Sequence, residues 1–214
     1  MTKVQVNKEH YNFSKYVSVD RWNSYYYQLT EAMASGNKRI LLIGVGDGIV
    51  SDLLTKFGCN VTTFDFDKEL NPDIVGSVTD IDKILKSKYD VILCCQVLEH
   101  IPFDIFAETI KRICDCVNDG GRFILSLPDH YLRWNLRINI PKIPEANIQM
   151  LSPRLFQCSW DIDRDGNGEH YWEIGAKGSS KKLVKNILKK YFKIEKEYLP
   201  DGNMYHIFFV LRKK

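Results

Sequence analysis

RILLIGVGDG, residues Arg39 to Gly48, sets a short apolar run directly against glycines at positions 44, 46 and 48. An apolar run of this length is the pattern of a strand buried on both faces. The glycines let the chain turn tightly and let its backbone approach a ligand that a Cβ would block. A helix over Ile49–Phe57 opens behind them, and its N-terminus favours negative charge. A dinucleotide fingerprint has the form GxGxxG. Here the third glycine falls one place early and position 49 is Ile, which argues against a dinucleotide.

Outward from this turn, strand-like and helix-like stretches alternate. Asn60–Phe66 (NVTTFDF) is the second strand, Asp73–Val78 a short third, and Ile81–Lys86 a helical turn or two. Tyr89–Cys95 (YDVILCC) is the fourth strand. Phe103–Val117 carries apolar residues at 103, 106, 110, 113, 114 and 117, a helical period, and Asn118-Asp119-Gly120-Gly121 is the expected stop. Arg122–Leu127 (RFILSL) is the fifth strand. Such alternation predicts a doubly wound α/β domain, a mostly parallel sheet with helices on both faces. The rhythm fails over 128–177, which holds four prolines and three of the four tryptophans. A long irregular stretch of this kind is usually functional, and a lid is expected. After Ser179 a helix sets Leu183, Val184, Ile187, Leu188 and Tyr191 on one face and Lys181, Lys182, Lys185 and Lys189 on the other. Phe192–Leu199 and His206–Arg212 then read as a hairpin about the turn Pro200–Asn203. Upstream, Arg21–Ala34 reads as a helix broken by Ser35-Gly36-Asn37.

The 214 residues, at roughly 150 per domain, suit one domain over 1–214, with a helical cap at 1–36 and an insertion at 128–177. Hydrophobic residues at 44% and charged residues at 27% exclude a disordered chain or a coiled coil. No apolar run reaches the length of about 18 residues that spans a bilayer, and Met1–Phe13 lacks the apolar centre of a signal peptide. A cytoplasmic location is the expectation. The six cysteines, 59, 94, 95, 114, 116 and 158, form no CxxC pair and read as reduced, mostly buried thiols. Net charge is +3, but from Gly178 onward 10 Lys/Arg face 3 Asp/Glu. A polyanion partner and a solvated helix face both explain this tail, and the second is cheaper because no aromatic platform is interleaved.

Asp65 ends the second strand, where a carboxylate can accept hydrogen bonds from both hydroxyls of a ribose. In order and spacing, RILLIGVGDG, VTTFDFD, YDVILCCQVLEHIP and GGRFILSLPD resemble the class I S-adenosylmethionine-dependent methyltransferases, in particular the type 11-like small-molecule set. The resemblance covers residues 37–129 by motif and extends to the C-terminus through the helix and hairpin. It implies a seven-stranded sheet in the order 3-2-1-4-5-7-6 with strand 7 antiparallel. It also implies that Gly44, Val45, Gly46, Asp47 and Gly48 line the methionine and ribose of the cofactor. Asp65 would bind the ribose and Phe66 would lie against the adenine. Ser77 and Val78 would border the adenine, with Ser77 standing where many relatives carry Asp. Cys95, Gln96 and Val97 would flank the methionine moiety. The implied product is S-adenosylhomocysteine, and the partner is a small-molecule methyl acceptor rather than nucleic acid; oligomeric state stays open.

Methyl transfer needs alignment first, and a base where the acceptor is a hydroxyl. Glu99-His100 follows the fourth strand; His100 can serve as that base, or the pair can cap and pack the next helix. Metal-binding relatives carry ExxEH here, whereas this chain has Gln96, a poor ligand for a hard cation, so no metal is expected. Asp161, Asp163, Asp165 and Gly166 match half a calcium loop, but position 12 is Trp172 rather than Glu, and a lid turn is the simpler reading. His130, Tyr131 and Trp134 follow the fifth strand, and His170 and Trp172 sit in a polar, aromatic phrase, so these five are the candidate acceptor contacts. The expected activity is methylation, at oxygen, of a sugar or other small metabolite. Three rivals remain: a nicotinamide-dependent oxidoreductase, a noncatalytic cofactor-binding protein, and a nucleic-acid methyltransferase.

Overall fold

The computed structural model describes residues 11, 13–34, 39–131, 133–138, 146–151, 170–203 and 205–214, with the side chains of 15, 133–138 and 146–151 excepted. Ser35–Asn37, Cys158 and the Asp161–Gly166 loop lie outside the described residues, as does the side chain of Trp134.

Two helices open the chain, α1 (Phe13–Tyr16) and α2 (Val19–Met33). The second begins two residues before the expected Arg21, because Ser18 caps it and its hydroxyl accepts from Arg21 N at 3.2 Å. Then follow β1 (Arg39–Ile43), α3 (Ile49–Lys56), β2 (Asn60–Asp65), β3 (Ile74–Val75), α4 (Ile81–Ile84), β4 (Tyr89–Cys95), α5 (Phe103–Asp115) and β5 (Val117–Pro128). The hairpin β6 (Arg133–Ile138) and β7 (Ala146–Leu151) forms a separate two-stranded sheet, so the stretch expected to be irregular holds regular structure. The chain closes with α6 (Lys181–Tyr191), β8 (Phe192–Tyr198) and β9 (His206–Lys213).

The main sheet has the order β3-β2-β1-β4-β5-β9-β8. Counting β8 and β9 as the sixth and seventh strands of this sheet, that is the expected 3-2-1-4-5-7-6, and β9 runs antiparallel to β5. Alternation along the central strands builds a core on each face. Leu41 and Ile43 of β1, with Ile92 and Cys94 of β4, pack toward Phe106, Ile110 and Ile113 of α5 and Val184 and Leu188 of α6. Ile40, Leu42, Val91 and Leu93 pack the other way, with Tyr25 and Ala32 of α2 and Val50 and Leu54 of α3. Each Val, Leu, Ile and Phe among them contributes about 1.5–3 kcal/mol by leaving water. On α6 Leu183 departs from its expected face and is 40% exposed. No helix among the described residues is long and apolar enough to cross a membrane.

Two boundaries differ from expectation for local reasons. β3 is only two residues long, because Ser77 caps a 3-10 turn over Val78–Asp80. Helix α5 ends at Asp115, with Cys116 as a right-handed cap, before the glycines expected to stop it. Those glycines serve β5 instead. Tyr89 pairs with Val117 but Val91 with Arg122, so Asn118–Gly121 loop out of register. A Cβ on Gly121 would stand 2.8 Å from Asn118 O and 2.9 Å from Asp90 O, both backbone atoms.

Gly121→Ala is therefore expected to cost about 1–3 kcal/mol through overpacking against backbone. Urea denaturation would read it as a lower midpoint at unchanged slope; a wild-type midpoint would contradict the close approach.

Candidate active site

A cleft opens at the C-terminal ends of the strands, the usual ligand crevice of an open α/β sheet. It holds about 1230 Å³ of empty space to its open mouth.

The loop after β1 forms one wall through Gly44, Val45, Gly46 and Asp47. Gly44 has φ +86°, and a Cβ there would meet Val97 Cγ2 at 2.5 Å. Only glycine lets the β1 and β4 loops close to this distance. Asp65 comes from the end of β2; its Oδ2 accepts from Val45 N at 2.8 Å and its Oδ1 from Asp67 N at 2.9 Å. Burial raises the Asp65 pKa, and these backbone donors partly offset it. Phe66, 40% exposed, extends the same wall, followed by Ser77 and Val78. Cys95, Gln96 and Val97 line the opposite side at the end of β4. Burial pushes the Cys95 thiol up to about 12, so it is no nucleophile. Of the twelve expected cofactor residues, Gly48 alone is absent from the described lining; in the left-handed conformation, it is the N-cap of α3. Asp47, which lines the cleft as expected, also takes over the capping. Its Oδ1 accepts from Ile49 N at 3.1 Å, and its Oδ2 accepts from the Tyr25 hydroxyl at 2.6 Å.

The roof comes from residues that sequence reasoning passed over. Tyr11, Tyr16, Arg21, Ser24, Tyr25 and Gln28 all line the cleft. Arg21, Ser24 and Gln28 recur at helical spacing, a polar stripe on the buried face of α2, and that was the available signal. The Arg21 guanidinium lies 3.8 Å over the Tyr16 ring and donates to Tyr16 O at 3.1 Å and to Tyr16 Oη at 2.8 Å. His206 of β9 closes the inner end. Its Nδ1 lies 3.0 Å from Ser24 Oγ and 3.2 Å from Asn203 Nδ2, and burial lowers its pKa to about 3.

The expected catalytic pair splits. His100 lines the cleft, whereas Glu99 lies fully buried outside the described lining. Glu99 Oε2 has no hydrogen-bond partner, and burial pushes its carboxyl up to about 7. His170, 70 residues downstream, packs edge-on to His100 with ring centroids 5.1 Å apart. Glu99, His100 and His170 offer ligand atoms within 4.8 Å of one another, so these residues could hold a metal ion. The expectation of no metal weighed only the contiguous segment and missed His170.

The candidate acceptor contacts need correction. Among the described residues, His130, Tyr131, His170 and Trp172 are not in the cleft lining. Trp172 is a core residue: its Nε1 donates to Ile101 O at 3.1 Å, and its ring packs edge-on to Phe103 and Phe106. An indole gains more from burial among rings than from an open cleft. His130 and His170 lie 3.2 and 3.0 Å from the two Glu173 oxygens, and Tyr205 Oη donates to Glu173 Oε1 at 2.6 Å. Burial works to raise the Glu173 pKa, but these hydrogen bonds outweigh it and the net shift is downward. The Tyr131 ring covers Gly175, where a Cβ would meet it at 2.6 Å. Residues 170–175 thus brace the segment to the sheet, with Asp129 bridging Ile174.

Residues 21–159 match the family model described as a methyltransferase domain. The ubiquinone biosynthesis O-methyltransferase of Aeromonas salmonicida is 27% identical over 179 residues, covering 70% of this chain and 72% of that protein. The protein of the same name from Hydrogenovibrio crunogenus is 30% identical over 118 residues, 48% of each chain, so this chain matches only about half of that relative's length. Among solved structures, the N-methyltransferase NodS from Bradyrhizobium japonicum, in complex with S-adenosyl-L-homocysteine, superposes with a TM-score of 0.63 at 12% identity. The superposition covers 98% of this chain and 94% of NodS.

Neutral burial of His206 makes stability depend on pH. Its folded pKa of about 3 lies below the ordinary 6.5, so the unfolded chain binds the extra proton between those values. The stability His206 confers is whole above pH 6.5 and is lost as pH falls toward 3, by up to about 5 kcal/mol. His206→Gln should flatten that limb of a stability–pH curve; an unchanged slope would place the acid sensitivity elsewhere.

Proposed function

The chain belongs to the methyltransferase-domain family of S-adenosylmethionine-dependent enzymes, and from that premise we propose that it methylates an oxygen of a small polar acceptor, a sugar or another small metabolite. The Asp65 carboxylate carries the reading. Two of its lone pairs accept backbone N–H groups, and the remaining ones suit ribose hydroxyls at the cleft wall. The glycine cradle, which a Cβ at Gly44 would fill, fits a ligand lying against backbone. Phe66 offers an apolar face for a base, beside Ser77 and Val78. Arg21 has no carboxylate partner among the described residues, and its guanidinium fits the carboxylate of an amino-acid moiety.

When bound, S-adenosylmethionine supplies an electrophilic methyl on a sulfonium sulfur. The chain's part is largely positioning, which can supply most of the acceleration. Gly44, Gly46 and Val97 shape the wall beside the reacting end, while α1 and α2 cap the cleft and help exclude water. His100, at the cleft wall, takes the acceptor's hydroxyl proton. The ubiquinone biosynthesis O-methyltransferases among the relatives favour oxygen as the methylated atom. In this reading residues 1–214 are a single domain, with 128–177 as an insertion. A second reading follows from Glu99, His100 and His170: a divalent cation held there would lower the pKa of a bound hydroxyl.

Calorimetric titration tests the first reading: S-adenosylmethionine should bind at micromolar affinity and NAD should not. Asp65→Ala should weaken that binding by about 1–3 kcal/mol, the cost of lost charge-assisted hydrogen bonds; unchanged affinity would remove its ribose role. Turnover that survives exhaustive chelation keeps His100 as the base, whereas turnover lost to chelator and restored by magnesium, manganese or zinc favours the cation.

A further inference from the structure

Gln28 is 6% exposed, yet it lines the cleft. Its carboxamide has no hydrogen-bond partner among the described residues, whereas the polar groups around it are engaged. Ser24, one turn earlier on α2, pairs with His206 at 3.0 Å. Gln96 sits at the end of β4 with φ +57°, a costly conformation for a residue with a Cβ. In the orientation that satisfies its amide, the nitrogen donates to His206 Nε2 at 3.2 Å and to Glu99 Oε1 at 3.3 Å. The oxygen then accepts from Ser126 Oγ and Leu127 N, each at 3.2 Å. Both His206 nitrogens are therefore occupied, and Gln96 is tied to β5 and β9. Neither amide atom of Gln28 is among the fully buried unpartnered ones, so the carboxamide is reached from the cleft and can exchange water for the groups of a ligand.

The position of Gln28 indicates which reactant it meets. The cleft runs from Ser77 beyond β3 to His206 on β9, across the sheet order β3-β2-β1-β4-β5-β9. On the proposed function, the nucleoside takes the β2–β3 end and the amino-acid moiety the β1–β4 loops. The end beneath α2 and His206 is left for the acceptor. Its wall carries the neutral side chains of Ser24, Gln28, Gln96 and a His206 that burial and the nearby Arg21 keep unprotonated. Of the residues that sequence reasoning nominated for the acceptor, His130, Tyr131, His170 and Trp172 are engaged with Glu173, Gly175 and the α5 core instead.

We propose that Gln28 is the acceptor-recognition residue, its carboxamide donating to and accepting from neighbouring hydroxyl groups of an uncharged acceptor. Ser24 and Gln96 are positioning residues that hold the wall around it through His206. A carboxamide presents a donor and an acceptor side by side, the complement of a vicinal diol. A site built to pair with hydroxyls rejects an analogue that lacks them, because its own polar groups are then stranded.

The test uses the full chain saturated with S-adenosylhomocysteine and two uncharged diol probes, catechol and methyl α-D-glucopyranoside. Each is paired with its fully O-methylated counterpart, and binding is read by saturation-transfer NMR. At least one diol should bind and its methylated counterpart should not. Gln28→Leu should weaken that diol by about tenfold, the loss of one or two neutral hydrogen bonds, and leave S-adenosylhomocysteine affinity within twofold. Gln28→Glu, of nearly the same size, guards against a packing artefact and should weaken the diol without lowering the melting temperature. Failure of the wild type to bind S-adenosylhomocysteine would sink the methyltransferase reading itself. Binding of S-adenosylhomocysteine but of neither diol, or diol affinity unchanged in Gln28→Leu, would overturn only the role of Gln28. A parallel loss of S-adenosylhomocysteine affinity in Gln28→Leu would assign the residue to the cofactor and overturn the proposal too.

Discussion

The hydrogen bond from Val45 N–H to the Asp65 carboxylate, 2.8 Å long, ties the glycine loop to the end of the neighbouring strand. Parallel strands pair without bringing their following loops together, so a loop freed by glycine would sample many shapes. A buried carboxylate with two backbone donors selects one of them. The same loop is squeezed from the other side, where Gly44 leaves no room for a Cβ before Val97. Between these constraints the chain presents bare backbone to the cleft, and α3 begins directly behind it.

The roof is anchored to the same loop. Tyr25 of α2 donates to Asp47, and that Asp47 also caps α3, so one side chain couples roof, loop and helix. Burial and this hydrogen bond both hold the Tyr25 hydroxyl in its protonated, donating form. The far end of α2 is held independently, where the buried Glu31 carboxylate takes the Lys196 ammonium at 2.9 Å. At the helix's N-terminal end, Asn203 donates to the Asp20 carbonyl. The helix is therefore fastened to β8 and to the β8–β9 turn as well as to the glycine loop, and its polar stripe keeps a fixed aim into the cleft.

Local pattern carried much of this into the sequence. β1, β2, β4 and the glycine turn were legible because each is a run whose neighbours in the chain are its neighbours in space. Asp65, Phe66 and the Cys95–Val97 segment followed, since they sit at the ends of those runs. Trp172 was not legible, because an aromatic residue in a polar phrase looks the same whether its ring meets a ligand or Phe106. His170 was legible as a polar residue but not as the neighbour of His100, a meeting set by tertiary packing alone. The glycines after α5 misled for a related reason: a left-handed residue can end a helix or loop out a strand, and only the register of β4 with β5 decides. The order of the strands came from family resemblance, since no residue spacing encodes which edge β9 joins.

The cleft also shows why equally buried groups end in different charge states. Asp65 receives two backbone N–H donors, which work against the rise that burial imposes. Glu99 has one oxygen without a partner, and its carboxyl climbs to about 7. His206, desolvated and engaged at both nitrogens, stays neutral down to about pH 3. The nucleoside end of the cleft thus carries the Asp65 carboxyl and the β9 end the neutral His206, with Arg21 overhead. A proton released at the β9 end has few places to go. Glu99 lies outside the described lining, His206 is too weak a base, and Cys95 holds its own proton to about pH 12. On the proposed function that leaves His100, which lines the cleft wall, to take the proton.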